Sequence, residues 1–241
     1  MRKNKLYASC FNQQQLDLLI GTLLGDGSLQ TFGRNWRYRA LHKASDLAYL
    51  DHKYELLRDY CGTGPSIRHT SPDIRTGNVY SSCYFNTLTH PVFTSLADNF
   101  YKHDAVSNKY IKVLPSEAFL KHTLTPAAIA YWYMDDGALK WKGRSNAMRI
   151  CTESFTIGFN EVKSCRGFAS TPEVALLKRL LVSLYGITTT TINKRLTNGE
   201  VRHRIYIPEV TSTQFRELIK PFLLPSMAYK VSDGNRNSLV L

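Results

Sequence analysis

No run of eighteen apolar residues occurs anywhere in these 241 residues, so nothing in the sequence is long and apolar enough to cross a bilayer as a helix. The opening stretch MRKNKLYASCFNQQQ is basic but lacks the apolar core of a secretory signal, so secretion is not expected. Cysteine is scarce. Cys10, Cys61, Cys83, Cys151 and Cys165 are odd in number, widely spaced and free of any C-x-x-C pair. That pattern excludes a zinc knuckle and a disulfide framework and suits reduced thiols in a reducing compartment. The seven histidines show no ligand spacing. Low-complexity tracts are absent, and acid is in short supply. Only 19 Asp and Glu stand against 31 Lys and Arg, a net charge of +12 spread along the chain rather than held in one tail. Such an excess suits a polyanionic partner, of which nucleic acid is the commonest, although composition alone also allows a merely basic enzyme. With 43% hydrophobic residues, the chain is long enough for one large domain or two of about 120 residues.

What the chain does contain is a pair of similar stretches. LLIGTLLGDGSL spans residues 18–29 and AIAYWYMDDGAL spans 128–139. Each reads as an apolar helix that stops on an Asp-Gly pair. An acid in the last turn faces the negative end of the helix dipole, at a penalty of roughly 0.3–1 kcal/mol. One Asp-Gly pair is an ordinary helix stop, but two at equivalent places in two half-chains ask for a shared purpose.

Around these stretches the chain follows one plan twice. In the first half Asn12 is placed as N-cap, with Gln15 at N3 and Gly27 past the end. The extended SLQTFGRNWRYRALHK follows, then helical SDLAYLDHKYELLRDYCG, strand-like GPSIRHT and NVYSSCYFNTL, and a closing helix HPVFTSLADNFY. In the second half Thr125 caps and Pro126 opens a helix that Gly137 ends. KWKGRSNAMRICTESFT reads as strand, loop and strand. A helix capped by Thr171, with Pro172 at N1, runs to Gly186, and a hairpin on Asn198-Gly199 precedes a last helix in TSTQFRELIKPFLL. The fold class expected is α+β, two pseudo-symmetric αββαββα halves over 1–102 and 125–241, joined through a connection at 103–124.

Period two sorts the strand residues onto faces. In the first half Arg37, Arg39 and Lys43 share a face, with Arg34, Arg68 and Arg75 nearby. A two-residue turn at Asn198-Gly199 would place Ile192, Leu196, Val201, Ile205 and Ile207 on one face. Asn193, Arg195, Thr197, Arg202, Arg204 and Tyr206 would fall on the other. Arg195 would then oppose Arg202, a like-charge pair unfavourable without an anion. Lys140, Lys142 and Arg144 add charge to the preceding strand and loop. Faces rich in Arg, Asn and Thr suit phosphates and base edges, though a solvated sheet face remains the plain alternative. Two such sheets would make a saddle wide enough for a duplex.

Gly21 and Gly25, one helical turn apart, leave a flat stripe on the first helix. Glycine inside a helix costs about 1 kcal/mol against alanine, so close packing against the helix at 126–136 gives it a purpose. That packing would bring Asp26 and Asp136 together. Paired carboxylates repel and raise one pKa unless a cation lies between them. Oxygen ligands with few histidines suit Mg²⁺ rather than Zn²⁺, and a phosphodiester is the natural target of such a pair beside a basic saddle.

LIGTLLGDG (19–27) and AYWYMDDG (130–137) resemble the two signature helices of the LAGLIDADG homing endonucleases. LTPAAIAYWYMDDG and the tail IKPFLLPSMAYK further resemble intron-encoded mitochondrial members of that family, and the resemblance covers nearly the whole chain. It implies a monomeric, site-specific DNA endonuclease that cuts both strands of duplex DNA at a long target and leaves 3′ overhangs. It also implies Mg²⁺, with Mn²⁺ able to substitute and Ca²⁺ binding without cleavage. Asp26 and Asp136 would bind metal, helped by the backbone carbonyls of Gly25 and Asp135. Lys112 in KYIKVLP and Lys230 in MAYKVS would stand near the scissile phosphates, with His42 and Glu153 as weaker candidates for organising water. Family members come typically from organelle or phage introns, so an intracellular, organellar site of action is expected. An RNA-binding intron maturase and a non-catalytic DNA-binding protein of the same fold are the rival readings. The chain departs from the family pattern at Tyr131 and Asp135, where small residues are usual, and at 157–172, a segment longer than the symmetric plan needs.

Overall fold

The computed structural model describes residues 10–141, 144–153 and 172–231. Helix α1 (Gln13–Leu24) leads into strands β1 (Ser28–Thr31) and β2 (Trp36–Lys43), helix α2 (Leu47–Leu57), strands β3 (Ser66–His69) and β4 (Ser81–Asn86) and helix α3 (Pro91–Phe100). A short hairpin of β5 (Tyr101–Asp104) and β6 (Lys109–Lys112) and helix α4 (Glu117–Thr123) come next. Helix α5 (Pro126–Asp136) then opens the second round: β7 (Gly137–Trp141), β8 (Ser145–Ile150), α6 (Pro172–Tyr185), β9 (Thr190–Arg195), β10 (Val201–Ile207) and α7 (Glu209–Ile219). The two larger sheets have the same antiparallel order, β1-β2-β4-β3 and β7-β8-β10-β9. The expected repeat is therefore present in both order and topology. Stretches at 142–143 (with Lys142) and 154–171 (with Cys165, Thr171 and most of the long 157–172 segment) lie outside the described residues.

The helix starts follow the capping chemistry in the sequence. Asn12 Oδ1 accepts the Gln15 N–H at 2.9 Å while Gln15 Oε1 accepts the Asn12 N–H at 3.1 Å, a reciprocal capping box. Thr125 Oγ1 accepts the Ala128 N–H at 3.1 Å, and Pro126 fills N1. The two C-termini differ from each other, and only the first departs from expectation. Helix α1 already ends at Leu24 with Gly25 as its cap, so Asp26 lies beyond the last turn; α5 runs through Asp136 to a cap at Gly137. Only the second acid therefore carries the full dipole penalty.

The core forms where α1 meets α5. Leu18, Leu19, Ile20, Ala128, Ile129 and Trp132 are fully buried. A Cβ added to Gly21 would lie 2.2 Å from the Ala128 carbonyl oxygen and 2.6 Å from Tyr131 Cβ. One added to Gly25 would lie 2.6 Å from Asp135 Cβ. The glycine stripe is thus what lets the two helices approach so closely.

The second-half hairpin corrects the expected register. Leu196 N–H bonds to the Glu200 carbonyl at 2.8 Å, and Gly199 adopts φ +82°, so three residues rather than two make the turn. Arg195 consequently pairs with Val201 and Arg202 with Lys194. A slip of one residue moves all of β9 to the opposite face. Asn193 and Arg195 share the helix-packed face with Ile205 and Ile207, and Ile192 turns outward beside Arg204. The opposed Arg195–Arg202 pair does not form.

Candidate active site and nucleic-acid interface

Each large sheet has one face against helices and one outer face. On the first, strand pairing puts Ser28, Gln30, Arg37, Arg39, Leu41 and Lys43 together with Ser82, Tyr84 and Asn86 and, beyond them, Ser66 and Arg68. The expected alignment of Arg37, Arg39 and Lys43 is what the strand forms. Arg34 and Arg75 are exposed in the adjoining loops. His42 points the other way, toward the helices. On the second sheet the outer face carries Ala138, Arg149, Tyr206, Arg204, Arg202 and Lys194. Lys140 Nζ lies 5.4 Å from the Trp141 ring and 5.3 Å from the Tyr206 ring, and Arg144 is exposed in the loop that follows.

Arg202 and Arg204 are less available than the sequence suggested. The Arg202 side chain is 10% exposed, pairs with Glu200 at 2.8 Å and donates to the Glu153 carbonyl at 3.1 Å. Arg204 forms an ion pair with the Glu153 carboxylate. Glu153, expected as a water-organising group, is therefore held by two arginines.

Arg149 was missed by reading strand faces alone. It follows Asp136 at the same thirteen-residue spacing at which Arg39 follows Asp26, and the registers agree: Ser28 opposes Arg39 and Ala138 opposes Arg149. That repeated spacing was the signal available in the sequence. Among the described residues Arg37 Nε, Arg149 Nε and Asn86 Oδ1 are buried without a hydrogen-bond partner. All three belong to outer-face residues, but Trp132 Nε1 and Glu173 Oε2 on helices are unpaired as well, so this feature does not by itself single out these faces.

At the junction of α1 and α5 with their sheets lie six sequence-predicted residues, Gly25, Asp26, Lys112, Asp135, Asp136 and Lys230. Lys112, at the end of β6, donates to the Gly25 and Gly27 carbonyls at 3.1 and 2.9 Å. Lys230 donates to the Asp135 carbonyl at 2.8 Å. The two lysines thus take pseudo-equivalent positions, each on the carbonyl just before a motif aspartate. Burial, then the charges of Asp26 and Asp135, pushes the Asp136 carboxyl up to about 8. Asp26 is exposed as a residue, but its carboxyl sits in a walled recess where desolvation and then Asp135 raise its pKa. Burial lowers Lys112 to about 8 and lowers Lys230 as well.

The side chain of Asp135 carries the feature the sequence reading did not anticipate. It is 0% exposed, and so is that of Lys53 from α2, whose Nζ lies 2.7 Å from Asp135 Oδ1. Tyr49 OH donates to the same oxygen at 2.8 Å. Lys53 also donates to His42 Nε2 at 2.8 Å, and burial plus this ammonium lowers His42 to about 4. A cavity of about 720 Å³ opens beside them, lined by Asp26, His42, Asp46, Tyr80, Asp135 and Lys230 among others. Asp26, His42 and Asp135 offer ligand atoms within 4.8 Å of one another. An ammonium already bridges two of these three, so the carboxylates left to face an ion are those of Asp26 and Asp136. Such an all-oxygen set with mutually repelling carboxyls fits a divalent cation.

Residues 16–215 match the family model described as the LAGLIDADG DNA endonuclease family. The chain belongs to this family. The chain is 46% identical over 235 residues to DNA endonuclease I-ChuI of Chlamydomonas applanata, an alignment covering 94% of this chain and 98% of that protein. It is 26% identical over 226 residues to cytochrome b mRNA maturase bI2 of Saccharomyces cerevisiae, covering 92% of this chain and about half (48%) of that protein. Its fold is shared with the homing endonuclease I-WcaI, solved bound to its DNA recognition sequence, at a TM-score of 0.75, 23% identity and coverage of 93% and 88% of the two chains. The divalent metal implied by the family is consistent with the acidic cluster at the helix pair.

Proposed function

We propose that this chain is a site-specific DNA endonuclease that cuts both strands of a long duplex target. Arg37, Arg39 and Lys43 of one sheet and Lys140 and Arg149 of the other bind the duplex across a saddle, with Arg68 and the loop residues Arg34, Arg75 and Arg144 at its edges. The single observation that carries the reading is the pair Asp26 and Asp136 at the tips of closely packed α1 and α5, flanked by Lys112 and Lys230. The halves 1–102 and 125–241, joined through 103–124, supply one aspartate each.

Hydrolysis here is an in-line displacement: a water oxygen bonds to phosphorus, the bond from phosphorus to the leaving sugar oxygen breaks, and that oxygen takes a proton. Bound at Asp26, Asp136 and the carbonyls of Gly25 and Asp135, Mg²⁺ would supply the positive charge that stabilises the attacking and leaving oxygens. Lys112 and Lys230, fixed on those carbonyls, place a cationic group toward each scissile phosphate and favour the extra negative charge of the pentavalent state. The depressed Lys112 pKa leaves it able to exchange a proton near neutral pH. Cuts on opposite strands leave 3′ overhangs, and Mn²⁺ replaces Mg²⁺ while Ca²⁺ supports binding alone. Its resemblance to intron-encoded members of the family suits expression in an organelle.

The experiment is a cleavage screen against a randomised duplex library with Mg²⁺, with Ca²⁺ as the control that permits binding only. Cleaved, metal-dependent targets with 3′ overhangs are expected. Binding of intron RNA without DNA cleavage would instead support the maturase reading, which the likeness to the bI2 protein keeps in view.

A further inference from the structure

The motif positions before the two catalytic acids are not equivalent. Gly25 precedes Asp26 and has no side chain, whereas Asp135 precedes Asp136 and sends a fully buried carboxylate between the two halves. Each oxygen of that carboxylate has a definite task. Oδ1 accepts from Lys53 Nζ at 2.7 Å and from Tyr49 OH at 2.8 Å, both on α2 of the first half. Oδ2 accepts the backbone N–H of Asp26 at 3.2 Å. The carbonyl of the same residue accepts from Lys230 at 2.8 Å. Asp135 thus holds the main chain of the first half's acid through its side chain and the second half's lysine through its backbone.

Such a hub needs a counter-charge. A third carboxylate beside Asp26 and Asp136 would be repelled by both, and buried charge is tolerated only when paired and hydrogen-bonded. Lys53 supplies that charge. It is itself wholly buried, it spends a second N–H on His42 Nε2, and the Tyr49 ring lies 4.1 Å from its Nζ. His42 thereby braces the ammonium from the β2 side, which explains why it turns away from the basic outer face. Gly25 completes the fit, since any Cβ there would lie 2.9 Å from Asp135 Oδ2.

We infer that Lys53 and Asp135 form a positioning pair for the cleavage reaction, fixing the Asp26 backbone and Lys230 in one geometry and so coupling the two strand cuts. The pair touches no reacting atom. Its effect is exerted through Asp26 and Lys230, and it rests on the endonuclease reading given above.

A buried ion pair whose only role is stability can be replaced by neutral groups at little loss, which gives the test its discrimination. The double variant Lys53→Met/Asp135→Asn removes both charges together, and Asp135→Asn alone keeps shape and leaves Lys53 a carbonyl acceptor. Thermal unfolding, target affinity in Ca²⁺ and strand-resolved single-turnover cleavage of a supercoiled target in Mg²⁺ are measured on both and on the wild type. Both variants are expected to fold and to bind the target like the wild type. Cleavage should fall about 10- to 100-fold, the range typical of groups that orient metal ligands, and nicked circles should accumulate because the second cut no longer follows the first. Asp135→Asn alone leaves Lys53 buried without its counter-charge and is the less stable of the two; if it does not fold, the double variant decides by the same readouts. Wild-type rates with no nicked intermediate in a folded variant would overturn the positioning role and leave the endonuclease reading intact. A wild-type protein that binds but never cuts would overturn the endonuclease reading, and the positioning role with it.

Discussion

At the scale of single residues, the proposed function rests on two carboxyls and two amines. Asp26→Asn or Asp136→Asn keeps size but loses the charge that would hold a divalent cation. Either change should abolish cleavage while target affinity in Ca²⁺ stays near that of the wild type; a variant that still cuts at the wild-type rate would sink the shared-metal site. The Asp136 pKa carries a separate consequence. Its folded value of about 8 lies above the ordinary 3.8, so between those values the metal-free folded state binds more protons than the unfolded one. Stability from this group is therefore present at low pH and is lost as pH rises from about 4 to about 8. In EDTA, the melting temperature of the wild type should decline across that window more steeply than that of Asp136→Asn. Mg²⁺ should restore more stability to the wild type at pH 8 than at pH 5, because only the ionised pair binds it well. Parallel melting curves for the two proteins would show that Asp136 is not strained. Lys112, with a value near 8 against an ordinary 10.5, acts in the higher window and with the opposite sign.

At the scale of elements, the helix pair and the second hairpin each depend on a backbone detail. Gly21→Ala adds a Cβ 2.2 Å from the Ala128 carbonyl oxygen, in a contact made of backbone that cannot swing aside. Overpacking of this kind costs about 1–3 kcal/mol, more than the roughly 1 kcal/mol that alanine returns inside a helix. Chemical denaturation should show a net loss, and cleavage should suffer more than binding because the aspartates move apart. In the hairpin, Arg202 is a structural group. Removing its side chain leaves Glu200 and the Glu153 carbonyl without their partner, so Arg202→Ala should lower the melting temperature. Arg195→Ala, on the helix-side face of an edge strand, should change neither stability nor target affinity appreciably.

At the scale of the whole molecule, the proposed duplex contacts fall on two repeated faces. Arg39 and Arg149 occupy corresponding places in the two sheets, each opposite the residue two beyond a motif aspartate. Alanine at either should weaken binding by about 1–3 kcal/mol and relax one target position if the guanidinium reads a guanine. Uniform weakening across target sequences with a shallower salt slope would mark a phosphate contact instead. Because the two sites belong to separate halves, the double variant should show additive losses. Fluorescence titrations at several salt concentrations separate these outcomes.

Much of this was legible beforehand for specific reasons. The capping box at Asn12 and Gln15, Thr125-Pro126 and the period-two arginines of β2 act through neighbours a few residues away, so the sequence carries them whole. Repetition of the Asp-Gly pair, with glycines at Gly21 and Gly25, was enough to pair two helices that lie a hundred residues apart. The hairpin register was not legible, since Asn-Gly serves two- and three-residue turns alike and the choice inverted the faces of Asn193, Arg195 and Ile192. Nor was Lys53, one lysine among many until α2 packs beneath Asp135. By itself the sequence determined the repeated elements, the basic face of β2 and the two Asp-Gly helix ends, because local propensity and charge need no partner. Only the tertiary structure decided which carboxylate receives a buried ammonium and which arginines stay free of acids, because those depend on desolvation and on groups that meet across the two halves.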